Sequence, residues 1–421
     1  MNRLLTLLLM IGSVGSIQAQ LTLSGEFRPR SEYRHGFATL AVEDQDPAFF
    51  VEQRSRLNTL FVQEKYSIKI VFQDVRTWGS QSQLVNNDGS LTTVHEAWGS
   101  LRLSVTSNLK IGRQEIILDD SRLFGNVAWA QQARSHDAIL FENAKDDFSL
   151  KLAAAYNQDG PQISTNYYSI ARSYKTLQFL WLKKKLGSLN TSFLFLNNGL
   201  QSGTPTDGET NFSQTVGTNI DLPLDQITPG GSIYYQTGKD GAGNDINALQ
   251  YQLDLNYKAN DKTNFLLGYE VLSGNDETST STDNKAFNPF YGTNHKFNGL
   301  MDYFYVGNHA GSVGLRDLFV QIVTNGKKWK TQASVHYFSS HSELLDPVSG
   351  TAADKYLGTE VDLVFSHQSS EDVNIKIGYS QMFGGSSMEI LKGGDSGAMN
   401  NWSWVMLTIK PTFFTTKSDE G

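Results

Sequence analysis

Arginine is unevenly distributed along this sequence: ten of its thirteen arginines lie between Arg28 and Arg134. In LSGEFRPRSE, Arg28 and Arg30 alternate with apolar or neutral residues and share a face with glutamates. In VEQRSRLNTLF, Arg54 and Arg56 are placed in the same way, with apolar residues on the opposite face. A guanidinium presents a planar fork of donors that matches a carboxylate. If the two stretches are neighbouring strands, four guanidiniums line one wall.

Two interpretations of this arginine wall stay open. It forms a pathway for carboxylate-bearing solutes, or it forms ion pairs with nearby acids and stiffens the molecule from inside. The acids available for such pairing are Glu26, Glu32, Glu52, Asp74 and Asp137. The two roles are compatible with each other.

The elements that position these arginines are predicted to be strands. LQYQLDLNY (249–257) alternates apolar and polar residues, and similar runs recur along the chain. Period two is typical of strands with one apolar face. About eighteen such runs are separated by connections that alternate between short and long, the longer ones including 117–135, 199–209 and 274–313. This order is typical of bacterial outer-membrane barrels, with short periplasmic turns and long extracellular loops.

The predicted fold is therefore all-β: a transmembrane antiparallel β-barrel of about 18 strands. In such a barrel the apolar face meets lipid and the polar face meets the lumen. Leu249, Leu253 and Tyr257 are then expected to face lipid, and Gln250 and Asp254 the lumen. Arginine on the lipid face costs about 2–4 kcal/mol at the midplane. That cost favours the assignment of faces in which the arginine wall points into the lumen.

The N-terminus predicts export. A basic start is followed by an apolar run and by Ile17-Gln18-Ala19, a small-residue cleavage site. We interpret residues 1–19 as a cleaved signal peptide and residues 20–421 as a single barrel domain. Cysteine is absent, which excludes disulfides and Cys-ligated metals. The formal net charge of −8 argues against a nucleic-acid partner.

Three other groups of residues have types found in catalytic or metal sites, but their spacing does not support such a site. Ser135, His136 and Asp137 are consecutive, so on a strand they cannot converge as a triad. His295 is expected to order a loop. DGAGND (240–245) resembles a calcium loop but lacks the closing glutamate, and a plain turn fits it better. We expect no catalytic residues, no metal and no cofactor.

The segment IGRQEIILDDSRLFGNVAWAQQARSHDAILF (111–141) runs strand, long loop, strand, and its loop need not lie outside the barrel. Its GRQ, its loop residues Arg122, Gly125 and Trp129, and Arg134 and Asp137 at the next strand resemble the alginate export family of outer-membrane porins. FNPFYGTNHKFNGLMDYF (287–304) and LGTEVDLVF (357–365) resemble the versions of this family in Bacteroidota-type bacteria.

This resemblance implies a monomeric 18-stranded barrel whose lumen passes an anionic polysaccharide or smaller acidic solutes. By motif position, Arg113, Arg134 and Asp137 carry over as conduit residues. Arg54 and Arg56 match as arginines of an early strand.

The sequence as a whole predicts a non-enzymatic outer-membrane channel for hydrophilic, anionic solutes, either by passive diffusion or by export. The predicted pore-lining residues are Arg28, Arg30, Arg54, Arg56, Arg113, Arg134 and Asp137. The expected partners are outer-membrane lipid, the solute and the barrel assembly machinery. The alternative is a non-conducting barrel that presents extracellular loops for binding or adhesion. A soluble secreted β-protein is a third possibility, in which the apolar faces pack on each other.

Overall fold

Nineteen strands make up most of the chain in a computed structural model, which describes residues 19–84 and 91–416. The predicted signal peptide therefore lies, except for Ala19, outside the described residues. The strands are β1 (Gln20–His35), β2 (Ala48–Val62), β3 (Tyr66–Thr77), β4 (Thr92–Arg102), β5 (Ser107–Gln114), β6 (His136–Lys145), β7 (Phe148–Tyr156), β8 (Thr176–Leu186), β9 (Leu189–Thr204), β10 (Asp207–Asp221), β11 (Ile227–Lys239), β12 (Asp245–Lys258), β13 (Thr263–Leu272), β14 (Leu315–Asn325), β15 (Trp329–Ser339), β16 (Tyr356–Gln368), β17 (Val373–Gly384), β18 (Asn400–Ile409) and β19 (Thr412–Thr415).

Each strand pairs antiparallel with its neighbour in sequence, and the first strand closes the ring. β1 pairs with β2 on one side and with β18 and β19 on the other. Pro411 has no N–H to give the ladder, and β19 continues the line of β18 beyond it. The barrel thus has eighteen strands around its circumference, which confirms the predicted fold. Among the strands of the described residues, closure leaves no edge unpaired within the membrane.

The two faces of the strands are those predicted from the alternation. On β12, Leu253 is 63% exposed on the outer surface, whereas Gln250 is fully buried inside. Ile68 and Phe72 on β3 and Leu267 on β13 are also exposed outward. An exposed apolar surface of this extent is stable only against lipid, so the outer face is the membrane-facing one.

Short and long connections alternate around the barrel as predicted, with two exceptions: only residues 240–244 join β11 to β12, and only residues 205–206 join β9 to β10. We expected residues 199–209 to form a long loop, but β9 runs to Thr204 and β10 begins at Asp207. The two strands pair up to the facing residues Thr204 and Asp207. The prediction was wrong because this hairpin extends beyond the membrane. Both of its faces meet water there, so its residues do not alternate.

The extracellular half of the lumen is packed with apolar side chains. Two long connections, the first inward loop (115–135) and the second inward loop (273–314), bury residues such as Phe124 and Tyr303 against inward residues of the wall such as Leu177 and Trp402. Helical structure is limited to a 3-10 turn (Asn294–Lys296), α1 (Val306–His309) and α2 (Ser386–Lys392) in the described residues. None of those helices has the length and apolarity to cross a bilayer.

Candidate functional site: the loop-filled lumen

The arginine wall holds the first inward loop in place. Arg28 and Arg54 are directly opposite each other on β1 and β2, and both are buried. Arg28 donates from Nη1 to the carbonyl of Ala128 at 2.6 Å and from Nη2 to the side-chain oxygen of Gln131 at 2.9 Å. Arg54 donates to the carbonyl of Gln131 at 3.2 Å. The loop therefore covers these two guanidiniums.

Arg30 extends the same contact toward the extracellular side. Its Nη1 donates to the carbonyl of Trp129 at 2.7 Å, and its guanidinium lies 4.0 Å from the centre of that indole ring. Arg30 also pairs with Glu32 at 2.7 Å and with Glu52 at 3.0 Å, while Arg54 pairs with Glu26. The wall thus combines ion pairing with binding of loop carbonyls, as buried charges require.

Arg56 and Arg134 also lie inside the barrel. Arg56, on β2, donates to the side-chain oxygen of Gln73 at 3.1 Å. Arg134 lies at the end of the first inward loop and donates to the carbonyl of Gly292 in the second inward loop at 3.1 Å. Burial lowers the pKa of Arg134 below its usual value. Both guanidinium groups therefore form hydrogen bonds to the protein itself.

Arg113 and Asp137 are placed differently from the prediction that they line the conduit. They face each other across β5 and β6 and form an ion pair at 2.8 Å. Arg113 shares the face of Ile111, and Asp137 shares the face of Ile139, which is the outer face. Their side chains are 43% and 61% exposed. This corrects the expectation from the resemblance: the pair belongs to the outer surface near the extracellular boundary.

A further buried ion pair, which joins the first inward loop to the wall, was not predicted. Arg122, in the first inward loop, pairs with Glu270 on β13, and its guanidinium lies 3.6 Å from the centre of the Phe297 ring. Asn298 of the second inward loop donates to Glu270 at 2.8 Å and to Asp317 at 3.1 Å. One network therefore joins both loops to the wall. Arg122 appeared in the sequence only as a motif residue, and nothing local indicates a partner 148 positions away.

The two inward loops also bind each other through their backbones. Phe124 and Tyr291 form a parallel bridge, and the N–H of Gly125 donates to the carbonyl of Tyr291 at 2.9 Å. A Cβ on Gly125 would collide with Thr293, and one on Gly292 would collide with the carbonyl of Arg122. Glycine is therefore required where the loops cross, and the loops form one interlocked layer across the lumen.

Below this layer, on the side of the short turns, lies a cavity of about 580 Å³. Strand residues near the short turns, such as Lys183 and Asp221, form its walls, and loop residues from Asp119 and Asp120 to Leu300 close its far end. Burial raises the pKa of the Asp119 carboxyl. The described residues contain no group of three or more histidine or acidic side chains arranged to hold a metal ion.

The charges of this periplasmic half are sorted by position around the barrel. The basic side consists of Lys376 and the three cations that act on it electrostatically, Lys330, Lys410 and Arg28. The acidic side consists of Asp119, Asp120, Asp221 and Asp254, with the cation Lys183 acting on Asp119 and Asp221 among them. A solute in the lumen therefore meets opposite charges on different walls.

Comparison with protein families identifies the chain: the model described as "Alginate export" matches residues 19–400. The chain belongs to the alginate export family. A search of curated protein sequences finds no match.

Solved outer-membrane porins share the fold of this family member at low sequence identity. OccK9 (OpdG) of Pseudomonas aeruginosa has a TM-score of 0.63 and 11% identity, covering 93% of this chain and 98% of that one. A BenF-like porin of Pseudomonas fluorescens Pf-5 has a TM-score of 0.59 and 13% identity, covering 93% and 99%. A structure titled as OpdK with vanillate, also from P. aeruginosa, has a TM-score of 0.58 and 10% identity, with the same coverage as the BenF-like porin.

Family and fold together place this protein in the outer membrane as a channel. The family and the fold are those of porins and export channels rather than of enzymes.

Proposed function

We propose that this outer-membrane channel passes small hydrophilic solutes, by passive diffusion or export, and prefers anionic ones such as acidic sugars or fragments of an alginate-like polysaccharide. The observation that carries the proposal is the basic side. Lys330 and Lys376 point inward from β15 and β17, and Lys410 follows β18 at the same end. A cluster of cations in a narrow, partly desolvated passage raises the local concentration of anions.

Exposure supports the lysines as the anion-attracting groups. The side chain of Lys410 is 60% exposed, although its Nζ lies 3.5 Å from Glu26, and Lys330 is also exposed. In contrast, the early arginines of the wall are buried under the first inward loop. The arginine wall would then act mainly by fixing the loop. A solute that enters from the periplasm would meet the lysines first.

The test is the reversal potential of the refolded protein in a planar bilayer under a KCl gradient. The wild type should give anion-selective steps. The triple variant Lys330→Gln/Lys376→Gln/Lys410→Gln should lower the chloride-to-potassium permeability ratio at least twofold, because it removes three positive charges from the lumen wall.

A matched control removes the same charge from the same membrane face. Lys65→Gln/Lys262→Gln/Lys327→Gln alters three turn lysines away from the inner wall, and it should leave the ratio unchanged. If the conductance steps of the wild type show no anion preference, the protein is still a channel but the proposed anionic preference is refuted.

The alternative, a non-conducting barrel that presents loops for binding or adhesion, is favoured by one observation. The two inward loops fill the extracellular half of the lumen with buried apolar residues. If a correctly folded barrel gives no conductance steps, this alternative replaces the proposal that solutes diffuse passively through the lumen.

The proposal also covers how the protein reaches the outer membrane. We infer that the chain is exported by the signal at residues 1–19, that residues 20–421 form one domain, and that this domain is inserted as a monomer by the barrel assembly machinery. Phe413 and Phe414 of β19 lie close to the C-terminus and are exposed on the surface, where an assembly factor has access to them.

A further inference from the structure

A cleft lies on the outer surface of the barrel, under the connection between β7 and β8, which we call the outward loop (157–175). This loop leans against the hairpin of β9 and β10, and the hydroxyl of Tyr167 donates to the carbonyl of Gly203 at 3.1 Å. A Cβ on Gly208 would lie only 2.8 Å from the ring of Tyr167, so a glycine makes room for this contact. The space between loop and hairpin, the outer cleft, has a volume of about 460 Å³.

The strand residues that line the outer cleft belong to the lipid-facing side of the wall. Leu177 on β8 and Ser213 on β10 are buried inside the barrel, so their neighbours Thr176 and Phe212 point outward. Both neighbours line the cleft, and Phe212 is 42% exposed. Because the outward loop is one of the long connections, which are extracellular, the cleft lies at the extracellular boundary of the membrane.

Next to the cleft, on its membrane side, three amide side chains cross the lipid-facing surface in a row, which we call the amide ladder. Gln178, Asn197 and Gln214 are directly opposite one another on β8, β9 and β10. Asn197 donates to Gln178 at 2.8 Å and accepts from Gln214 at 2.7 Å. The next outward residues toward the membrane centre are the exposed, apolar Phe195 and Val216. Because amides are costly in hydrocarbon, the ladder marks the level at which acyl chains give way to polar head groups.

A buried cation in the outer cleft makes no ion pair within the described part of the chain. Lys175 is 3% exposed, and it is the one charged side chain among the described residues that line the cleft. Its Nζ donates to the carbonyl of Asn166 and lies 4.7 Å from the centre of the Tyr156 ring. Asp159 acts on Lys175 electrostatically, but this carboxylate is exposed and accepts hydrogen bonds from Ser169. Because lysine is rarely buried without an opposite charge beside it, the cleft favours an anionic ligand.

The rest of the lining fits a sugar. Tyr156, Tyr167 and Phe212 supply rings against which the C–H groups of a sugar pack, and Thr176 and Gln201 supply hydrogen-bonding groups for its hydroxyls. Such a lining, with aromatic walls and a few polar groups, is typical of small-molecule sites, whose volumes are roughly 300–1,000 Å³. The cleft therefore suits one phosphorylated or acidic sugar unit.

We propose that the outer cleft and the amide ladder together bind the phosphorylated sugar head group of an outer-leaflet glycolipid, with a phosphate beside Lys175. Lysine binds phosphate as a compact positive charge. The acyl chains of the lipid lie along the barrel over Phe195 and Val216, and the amide ladder meets the polar linkages between sugar and chains. A free sugar phosphate would use the cleft alone, so the ladder favours the glycolipid. The inference is independent of which solute passes through the lumen.

The experiment counts bound lipid by native mass spectrometry. Refolded full-length protein in detergent micelles is titrated with diphosphoryl lipid A, and the same lipid after enzymatic removal of its phosphates serves as the ligand control. We expect one tightly bound diphosphoryl lipid A per barrel, and at least tenfold weaker binding of the dephosphorylated form. Glucose 1-phosphate, which carries a sugar phosphate without acyl chains, should also bind at least tenfold more weakly than lipid A.

Two variants test the site from independent directions. Lys175→Gln removes the charge but keeps a hydrogen-bond donor, and it should weaken binding of diphosphoryl lipid A at least tenfold. The control Lys355→Gln, at a lysine with a 40% exposed side chain in another long connection, should leave binding unchanged. Gln178→Leu/Asn197→Leu/Gln214→Leu keeps every charge but removes the amide ladder from the lipid-facing surface, and it should also weaken binding.

Equal binding of the two forms of lipid A would overturn the proposal, as would wild-type affinity in both the Lys175→Gln protein and the triple leucine variant. If glucose 1-phosphate binds as tightly as diphosphoryl lipid A, the cleft takes a soluble sugar phosphate and the glycolipid is refuted. Heat-modified migration on gels verifies that each variant is a folded barrel.

Discussion

Replacing Arg28 with methionine separates a structural arginine wall from a solute-binding one. Arg28 donates to the carbonyls of Ala128, Trp129 and Ala130, at 2.6, 3.2 and 3.3 Å, besides the side chain of Gln131. Methionine fills similar space without donors. Each buried carbonyl left without a donor costs about 1–3 kcal/mol.

Two acceptors lose their donor, the carbonyl of Ala128 and the side-chain oxygen of Gln131, because the other two carbonyls keep donors from Arg30 and Ala133. At the lower end of that range, these two acceptors amount to about 2 kcal/mol lost from the docked state of the first inward loop. Since every 1.4 kcal/mol is a factor of ten, the undocked population should rise roughly 25-fold. The remaining contacts, through Arg30 and Arg54, keep the loop docked most of the time.

Limited trypsin digestion measures this population, because Arg122 and Arg134 lie within the loop and are shielded when it is docked. Cleavage that follows brief opening tracks the open population. We expect cleavage after these two arginines to accelerate about 25-fold in Arg28→Met. The control Arg113→Met, on the outer face, should digest at the wild-type rate.

Unchanged cleavage in Arg28→Met would refute the docking role. If anion selectivity then fell in the same variant, the sequence-based interpretation of Arg28 as a pore-lining residue would be supported instead. An effect of Arg113→Met on selectivity would contradict its assignment to the outer surface.

Two further predictions concern α2 and the N-terminus. Burial lowers the pKa of Lys392 to about 8, below the usual 10.5, although its Nζ donates to the carbonyl of Asn308 at 2.6 Å. Between these values the unfolded segment binds more protons than the docked one, so docking of α2 should strengthen as pH rises from about 8 to 10.5. Hydrogen exchange of residues 386–392, corrected for intrinsic rate, should slow over that range in the wild type and show no such trend in Lys392→Met. Intact mass of protein from the outer membrane should correspond to a chain that begins at Gln20, and retention of Met1 would contradict cleavage after Ala19.

The barrel was predictable from the sequence because the alternating pattern that specifies each strand lies within that strand. A strand that separates lipid from water must alternate, so Leu253 and Gln250 reveal their faces without any knowledge of partners. The same counting also places Arg113 with Ile111, on the outer face. The resemblance to a family motif suggested the lumen for Arg113, and the alternation was the better guide.

The lumen was predictable only in part, because its contacts join distant segments. Arg28 meets residues about a hundred positions away, and Arg122 meets Glu270 at a separation of 148. No local pattern encodes which carbonyl a buried guanidinium will bind. The apolar and charged composition of the first inward loop indicated that it need not lie outside, but not what would hold it there.

The order of the strands explains how a chain with a modest net charge places basic and acidic side chains on different walls of the lumen. Because every strand neighbours the next in sequence, a compositional bias along the chain becomes a bias around the ring. The early arginines of β1 and β2 and the late lysines of β15 and β17 meet across the closure between β1 and β18. The intervening β10 and β12 carry Asp221 and Asp254. Ring closure thus converts a linear charge pattern into a field across the lumen, which orients any solute that carries both signs of charge.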